Sequence, residues 1–368
     1  MTSRFPARAD QVGSLLRPPE LKRARADHAA GTLPAEELRA VEDRCIRVVV
    51  AQQESIGLTA VTDGEFRRAW WHFDFLRQLE GVEFTVGEKQ IEFHGVKTKR
   101  ENIAVTGRVG VGKVPLLEDF DFLKIAARAT PKFAIPGPPV LHFRGGRELI
   151  SRAAYPDLDE FFADTAEAYK KILRAFYAAG CRYLQLDDTV WGYLCSEKER
   201  AVSRARGDRP ETLPGIYAAM INAVLAERPA DMTVTTHVCR GNFRSSWISS
   251  GGYEPVAEVL LAGIDYDGYF LEYDSERAGG FEPLRFLPKG PKRVVVGLVT
   301  SKTGELESKD LIKRRMEEAA RFAPLEQLCL SPQCGFASTE EGNLLSEAEQ
   351  WRKLERVIEA AAEIWGDA

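Results

Sequence analysis

The sequence of 368 residues lacks long hydrophobic runs: no stretch approaches the roughly 18 apolar residues that a membrane-spanning helix needs. Its opening residues, MTSRFPARADQVGS, also lack the apolar core of a secretory signal peptide. Both absences argue against a membrane protein or an exported one. We therefore expect a cytoplasmic protein.

Blocks of one charge are missing as well. The 50 Lys and Arg and the 55 Asp and Glu residues are mixed along the chain and leave a formal charge of −5. No basic block could follow a phosphate backbone, so nucleic acid is not an expected partner. Linkers rich in Pro, Gly or Ser and internal repeats are also absent, which predicts a single domain over residues 1–368.

Cysteines are few and unevenly spaced. Six in a chain of this length do not form the pattern of a disulfide framework. In a reducing compartment, metal binding or catalysis is the more common special use of cysteine. Four of the six fit ordinary buried positions, whereas Cys239 and Cys334 are candidates for chemistry.

The chain does contain a regular alternation of helical and strand-like segments. Helical periodicity covers residues 19–54, 157–179, 209–227, 254–262, 309–322 and 347–365. Strand-like runs lie near residues 9–14, 58–62, 133–137, 183–186, 233–236, 269–271, 293–299 and 327–331. This alternation predicts an α/β fold, a (β/α)8 TIM barrel, with an open doubly wound sheet as the alternative. Alternating residues and glycine turns in 82–111 predict a β-hairpin, inserted as a flap at 82–113.

Almost every strand candidate ends in a chemically competent side chain, and in a closed barrel these ends meet on one face. His237 and Cys239 are two apart on a strand and therefore share a face. With Glu272 and Cys334 they form a set of the ligand types that Zn²⁺ uses. The sequence therefore predicts a zinc site, although buried structural use of His and Cys is the ordinary alternative.

The charge of this ligand set indicates the chemistry. Two thiolates, an imidazole and a carboxylate on Zn²⁺ leave a net charge of −1, which makes the metal a poor generator of hydroxide. Such a centre still holds a thiol substrate deprotonated at neutral pH. It is better suited to alkyl transfer to sulfur than to hydrolysis.

The motifs THVC at 236–239, LEY at 271–273 and SPQCG at 331–335 resemble the zinc motifs of the cobalamin-independent methionine synthase family. VGS at 12–14, DGEF at 63–66 and LQLDD at 184–188 stand in the order found in that family. The resemblance covers nearly the whole chain and corresponds to the catalytic, C-terminal barrel of the long form. It implies methyl transfer to homocysteine at a zinc centre.

The resemblance also implies substrate contacts. Ser14 would bind the substrate carboxylate, and Glu65 and Asp187 would bind its ammonium group, because carboxylates pair with ammonium ions. Helix N-capping is the alternative role for the two acidic residues. Where the family places a tryptophan for the pterin, this chain has Phe143 and Arg144, which are expected to contact the methyl donor.

The loop after Cys239 carries two arginines, Arg240 and Arg244. A guanidinium group binds carboxylate or sulfonate in a bidentate way, so both are candidates for an anion clamp beside the metal. Solvated positions on a loop are the alternative.

These features predict a zinc-dependent methyltransferase that acts on homocysteine and uses 5-methyltetrahydrofolate or a simpler donor. The two loop arginines leave open an alkyl transferase for another thiol, similar to the epoxyalkane:coenzyme M transferases. A non-catalytic barrel that binds zinc or thiols is an alternative of another class. The last alternative is a metal-free decarboxylase of the uroporphyrinogen type.

Overall fold

The computed structural model describes residues 5–86, 92–97 and 101–366. Its strands, in chain order, are β1 (Ala60–Val61), β2 (Glu80–Val86), β3 (Glu92–Phe93), β4 (Val96–Lys97), β5 (Glu101–Gly110), β6 (Thr130–Pro136), β7 (Tyr183–Asp188), β8 (Thr233–Val238), β9 (Gly268–Glu272), β10 (Arg293–Val299) and β11 (Leu328–Pro332). Its α-helices are α1 (Pro19–Ala29), α2 (Ala35–Ser55), α3 (Phe73–Leu76), α4 (Leu117–Ala126), α5 (Val140–Phe143), α6 (Leu158–Ala178), α7 (Val190–Leu194), α8 (Glu197–Ala205), α9 (Leu213–Leu225), α10 (Glu254–Ala257), α11 (Lys309–Ala319) and α12 (Glu347–Trp365).

Seven strands form one parallel sheet in the order β1-β6-β7-β8-β9-β10-β11. Consecutive strands along the chain are neighbours, as expected when helices connect parallel strands. The sheet curls, and an extended segment closes it between β11 and β1. The predicted α/β barrel architecture is confirmed.

This closing segment, residues 8–14, stands where a regular first strand was predicted. Ala9 forms one parallel bridge to β11. On the other side, the backbone N–H and C=O of Thr62 both bond to the side-chain amide of Gln53, at 3.0 and 2.8 Å. Because these groups are already paired, the segment contacts the β1 side through the Thr62 hydroxyl, which donates to the Gly13 carbonyl at 2.6 Å.

Helices cover the outside of the sheet. The helices predicted from residue 157 onward correspond to α6, α9, α10, α11 and α12. The single helix predicted over 19–54 is instead two, α1 and α2, because Pro34 cannot continue a helix and begins a new one. Within the described ranges, no helix has both the length and the apolar character needed to cross a bilayer.

The barrel interior is filled by side chains of its own. A small apolar cluster comprises Val12, Phe270, Val295 and Cys329. Beside it, Lys132 Nζ lies 3.1 Å from Asp10 Oδ1, both side chains being fully buried, and 3.9 Å from the centroid of the Phe270 ring. The interior is therefore a packed core, and the side chains that could bind a ligand lie at the rim of the barrel.

The predicted hairpin region forms antiparallel structure in its described part. Strand β2 pairs with β5, and β3 with β4, while residues 87–91 and 98–100 lie outside the described residues. At the β3–β4 turn, the His94 N–H donates to the Trp247 carbonyl at 2.7 Å. The Ser246 hydroxyl donates to the His94 carbonyl at 2.6 Å. This inserted flap therefore contacts the loop that follows β8.

Close packing of the strands generates a first prediction, at Gly297 in β10. A Cβ atom there would lie 2.6 Å from Gln333 Cα and 3.0 Å from the Leu271 carbonyl oxygen, which are backbone atoms on the two sides of the strand. We expect Gly297→Ala to lower the free energy of unfolding by about 1–3 kcal/mol, as overpacking does. Urea denaturation measures this change.

Gly215→Ala in α9 is the matched control, because no atom lies within 4 Å of a Cβ at that position. Alanine favours a helix over glycine, so the control should be neutral or stabilising. Equal stability of the two variants would contradict the close strand packing.

Candidate metal centre and substrate cavity

Four side chains of ligand type converge at the carboxyl ends of three strands. His237 lies in β8 and Cys239 directly follows it, Glu272 ends β9, and Cys334 lies just beyond β11. All four are buried, and their ligand atoms lie within 4.8 Å of one another. The structure therefore brings together the set that the sequence predicts.

The spacing of the two thiols fits a metal ion. The Sγ atoms of Cys239 and Cys334 are 3.7 Å apart. Two thiolates on one tetrahedral Zn²⁺, each about 2.3 Å from the metal, are separated by about 3.8 Å. Sulfur, imidazole and carboxylate are donors that zinc accepts together. By donor type and spacing, the four residues fit a zinc ion.

His237 lies in anionic surroundings. Its Nδ1 atom is 3.7 Å from Asp187 Oδ1, and its Nε2 atom is 3.3 Å from the backbone oxygen of Gln333. Burial lowers the pKa of His237, but Asp187, Cys239 and Glu272 together more than offset burial and raise it to about 9. Surroundings that draw a proton to a buried imidazole also attract a metal cation.

Cys239 is the more acidic of the two thiols. The hydrogen bond from Cys334 is the main cause that lowers the pKa of Cys239, and the Gly241 backbone N–H adds a second donor at 3.3 Å. Donating that hydrogen bond, together with burial, raises the pKa of Cys334 well above its ordinary value. Of the two thiols, Cys239 therefore loses its proton more readily, and metal binding would release the protons that the pair still holds.

Glu272 is held by donors on both carboxylate oxygens. Its Oε1 accepts from the Arg240 backbone N–H at 2.8 Å, and its Oε2 accepts from Arg277 Nη2 at 3.1 Å. The side chain is completely buried. The protein itself thus sets the direction in which this carboxylate faces the other three ligands.

A cavity opens beside the metal-ligand group. It is lined by the predicted substrate residues Ser14, Glu65, Asp187 and Arg144, together with His237, Cys239 and Cys334. Asp187 accepts a hydrogen bond from Gln185 Nε2 at 2.7 Å. Ser14 lies directly against Gly335, where an added Cβ would be 2.0 Å from Ser14 Oγ. Glycine at this position therefore lets the serine approach the segment that carries Cys334.

Glu65 is a buried carboxyl group with unused hydrogen-bonding capacity. Its Oε2 atom is buried and has no hydrogen-bond partner, and its Oε1 atom lies 3.6 Å from Arg68 Nη1. Burial, with smaller contributions from Asp187 and Asp63, raises the pKa of Glu65 to about 7 against the opposing effect of Arg68. Two neighbouring carboxyl groups in a closed cavity suit a cationic ligand group.

Three predicted substrate residues do not line the cavity. Phe143 is buried, with its ring centroid 5.8 Å from that of Tyr193. Arg240 is buried behind the site, with its guanidinium carbon 4.4 Å from the centroid of the Tyr253 ring. Adjacent residues of an extended segment point to opposite sides, and Cys239 occupies the cavity side. Arg244 is exposed. The placement of these three residues does not support the predicted contacts with substrate.

Sequence reasoning missed most of the cavity surface. An aromatic wall, defined here as Trp70, Trp71, Phe93 and Tyr193, lines the same cavity as the carboxyl groups. The sequence does contain a signal that places Trp70 and Trp71 near the cavity. Both closely follow the DGEF motif, and a loop after a strand end lies at the same barrel rim as the other strand ends. Phe93 comes from the flap, and no sequence pattern indicates that the flap reaches the cavity.

The fold and the site together define a class of protein. It is a parallel α/β barrel with a candidate metal centre at its strand ends, formed by a buried histidine, a glutamate and two cysteines. Comparison with known families makes the assignment specific. The family profile described as cobalamin-independent synthase, catalytic domain, matches residues 7–362. The chain belongs to the cobalamin-independent methionine synthase family.

Similar proteins cover the whole barrel. The uncharacterized protein YxjH of Bacillus subtilis is 55% identical over 361 residues, which are 98% of this chain and 95% of that protein. A Listeria monocytogenes structure, described as a candidate vitamin-B12-independent methionine synthase, is 44% identical with a TM-score of 0.80 and covers 99% of each chain. A B12-independent methionine synthase from Shewanella sp. W3-18-1, in complex with selenomethionine, has a TM-score of 0.72 at 20% identity and covers 97% of each chain.

The raised pKa of Glu65 generates a second prediction. A carboxyl group with a pKa of about 7 in the folded state and 4.5 as its ordinary value destabilises the fold increasingly as pH rises from about 4.5 to 7, by up to about 3 kcal/mol. Glutamine removes this ionisation. We expect Glu65→Gln to be more stable than the wild type at pH 8 and nearly equal to it at pH 5, in denaturant unfolding.

Glu341→Gln serves as the control, because Glu341 is an exposed carboxylate outside the cavity. Its effect on the free energy of unfolding should be small at both pH values. A stability difference for Glu65→Gln that does not change between pH 5 and pH 8 would contradict the raised pKa.

Proposed function

We propose that this protein is a zinc-dependent thiol S-methyltransferase that transfers a methyl group from 5-methyltetrahydrofolate or a simpler donor to homocysteine, giving methionine. One observation carries the proposal: a thiolate-rich metal-ligand group and a pair of buried carboxyl groups share a single cavity. Membership of the methionine synthase family supports the reaction class. In this proposal, the barrel and the flap inserted at 82–113 act as one unit.

His237, Cys239, Glu272 and Cys334 would hold the zinc ion. When bound, Zn²⁺ would lower the pKa of the substrate thiol and keep it as a nucleophilic thiolate at neutral pH. The surrounding residues orient the ligands: Asp187 faces the His237 imidazole, as carboxylates commonly do behind metal-binding histidines. All six cysteines are free, which suits a reducing, cytoplasmic location.

The amino acid end of homocysteine would bind beside the metal ligands. Glu65 and Asp187 would receive its ammonium group, and the unpartnered Glu65 Oε2 would gain the hydrogen bond that it lacks. The Ser14 hydroxyl, which also lines the cavity, would bind the substrate carboxylate. The Shewanella relative in complex with selenomethionine, the selenium analogue of the proposed product, supports an amino acid ligand of this kind.

The methyl donor would approach along the aromatic wall. Trp70, Trp71, Phe93 and Tyr193 offer flat apolar surface that keeps water from the reacting atoms. Arg144, which also lines the cavity, would attract an anionic part of the donor. Holding the donor methyl group about 3–3.5 Å from the attacking sulfur would then supply much of the rate.

Alkyl transfer to a thiol with a sulfonate group remains the second candidate, because Arg144 lines the cavity. The two carboxyl groups of Glu65 and Asp187 would repel such an anion, whereas they would bind an ammonium group. A purely structural zinc site would be closed on all sides, and the cavity beside these ligands argues for a substrate.

The metal assignment generates a third prediction. Purified wild-type protein should contain one zinc ion per chain, and Cys239→Ser should lose most of it, because a hydroxyl group is a much poorer zinc ligand than a thiolate. Cys45→Ser is the control, since Cys45 is buried in α2 away from the cavity and should keep its full zinc content. Elemental analysis decides, and a Cys239→Ser protein with full zinc would refute the ligand assignment.

The acceptor assignment generates a fourth prediction. Asp187→Asn removes one charge partner of the ammonium group, and loss of a buried charge-assisted contact typically costs at least about 2 kcal/mol, or roughly 30-fold in affinity. Homocysteine should therefore bind at least roughly 30-fold more weakly to the variant, as measured by calorimetry.

The thiol 4-mercaptobutyrate has the carbon chain, thiol and carboxylate of homocysteine but no amino group, so it controls for other effects of the substitution. Its affinity should be nearly the same for the wild type and Asp187→Asn. An equal loss of affinity for both thiols would show that Asp187 does not recognise the ammonium group.

A further inference from the structure

Arg277 connects Glu272 to a second buried carboxylate. Its Nη2 atom lies 3.1 Å from Glu272 Oε2 and 2.9 Å from Asp274 Oδ1. The arginine side chain is 10% exposed, and those of Glu272 and Asp274 are 0% and 4% exposed. A single guanidinium group therefore serves two buried carboxylates, only one of which is a metal-ligand candidate.

We propose that Arg277 is a positioning residue that keeps Glu272 the exchangeable ligand of the metal centre, so that a substrate thiol displaces this carboxylate and no other ligand. The inference rests on the metal centre proposed above. It assigns a task to a residue that does not itself reach the substrate cavity.

A buried carboxylate that leaves a metal without another partner is an uncompensated charge, which is strongly unfavourable. Glu272 avoids this state, because Arg277 and the Arg240 backbone N–H hold both of its oxygens independently of the metal. After displacement it would remain in a buried ion pair.

The other three ligand candidates have different surroundings. Cys239 accepts only weak donors, the Gly241 N–H at 3.3 Å and the Cys334 thiol at 3.7 Å. His237 faces a carboxylate, which strengthens an imidazole as a ligand. Within the described part of the chain, Glu272 is the member of the set that forms a salt bridge with a guanidinium group.

Two further contacts hold the Arg277 side chain in place. Asp274 would stay paired with the guanidinium group even when Glu272 moves. The ring of Trp247 covers it, with the guanidinium carbon 5.2 Å from the ring centroid. Trp247 in turn stacks on His94 of the flap, at 4.9 Å between ring centroids. The partner of the displaced carboxylate is thus fixed before substrate arrives.

The test uses Arg277→Gln in the full-length protein loaded with Co²⁺, whose visible absorption reports the metal's coordination. Without its cationic partner, Glu272 should stay on the metal, so homocysteine should perturb the spectrum with at least a tenfold higher apparent Kd than in the wild type. Affinity for Zn²⁺ without thiol, measured by competition with a chromophoric chelator, should be equal or higher. Arg285→Gln is the control, because Arg285 forms an exposed ion pair with Glu254.

Two results would overturn the inference. One is an unchanged homocysteine titration. The other is a loss of zinc affinity in Arg277→Gln, by the roughly 10–100-fold expected for a residue that merely orients a ligand. Should Arg277→Gln not fold, Arg277→Lys is the second variant. It keeps the charge on a shorter side chain, which should weaken the contacts with both carboxylates and raise the apparent Kd severalfold. No change in this variant would also overturn the inference. If the wild type binds neither Zn²⁺ nor Co²⁺, the proposed function itself fails.

Discussion

The shared direction of the barrel strands is the constraint on which the site depends. Because β7, β8, β9 and β11 are parallel members of one curled sheet, their carboxyl ends meet at one rim, and side chains far apart in sequence become neighbours. Cys239 and Cys334 illustrate this, with their sulfur atoms 3.7 Å apart although 95 residues separate them along the chain. A change that tilted one strand end would separate the four candidate ligands, which come from different strands.

Buried negative charge follows from that convergence, and it determines what the cavity can bind. Glu65, Asp187, Glu272 and Cys239, whose thiol has a lowered pKa, are all buried at the same rim. The chain compensates this charge in part, through Arg68 beside Glu65, Arg277 beside Glu272, and the His237 imidazole, whose pKa is raised to about 9. A metal cation and a substrate ammonium group would neutralise most of the remainder. The same electrostatic imbalance therefore favours both the metal and an amino acid substrate, and disfavours purely anionic thiols.

The sequence allowed prediction of the features that obey local rules. Alternating helices and strands indicated the barrel, and side chains at strand ends indicated the four ligands, because both depend on the backbone period alone. The position of the Arg240 side chain, which lies against Tyr253 and does not line the cavity, could not be predicted, since adjacency to Cys239 does not reveal which residue faces the cavity. The covered position of Phe143, the pairing of Thr62 with Gln53 and the salt bridge of Arg277 could not be predicted, because each depends on how side chains pack in three dimensions and no backbone period reveals it.

X-ray absorption at the zinc edge, on the purified protein with and without homocysteine, tests the central claim most directly. We expect one zinc per chain with two sulfur and two nitrogen or oxygen ligands. When homocysteine is added, we expect three sulfur ligands, because the substrate thiol would replace the Glu272 carboxylate. A protein without zinc, or a zinc shell that stays the same when homocysteine is added, would contradict it.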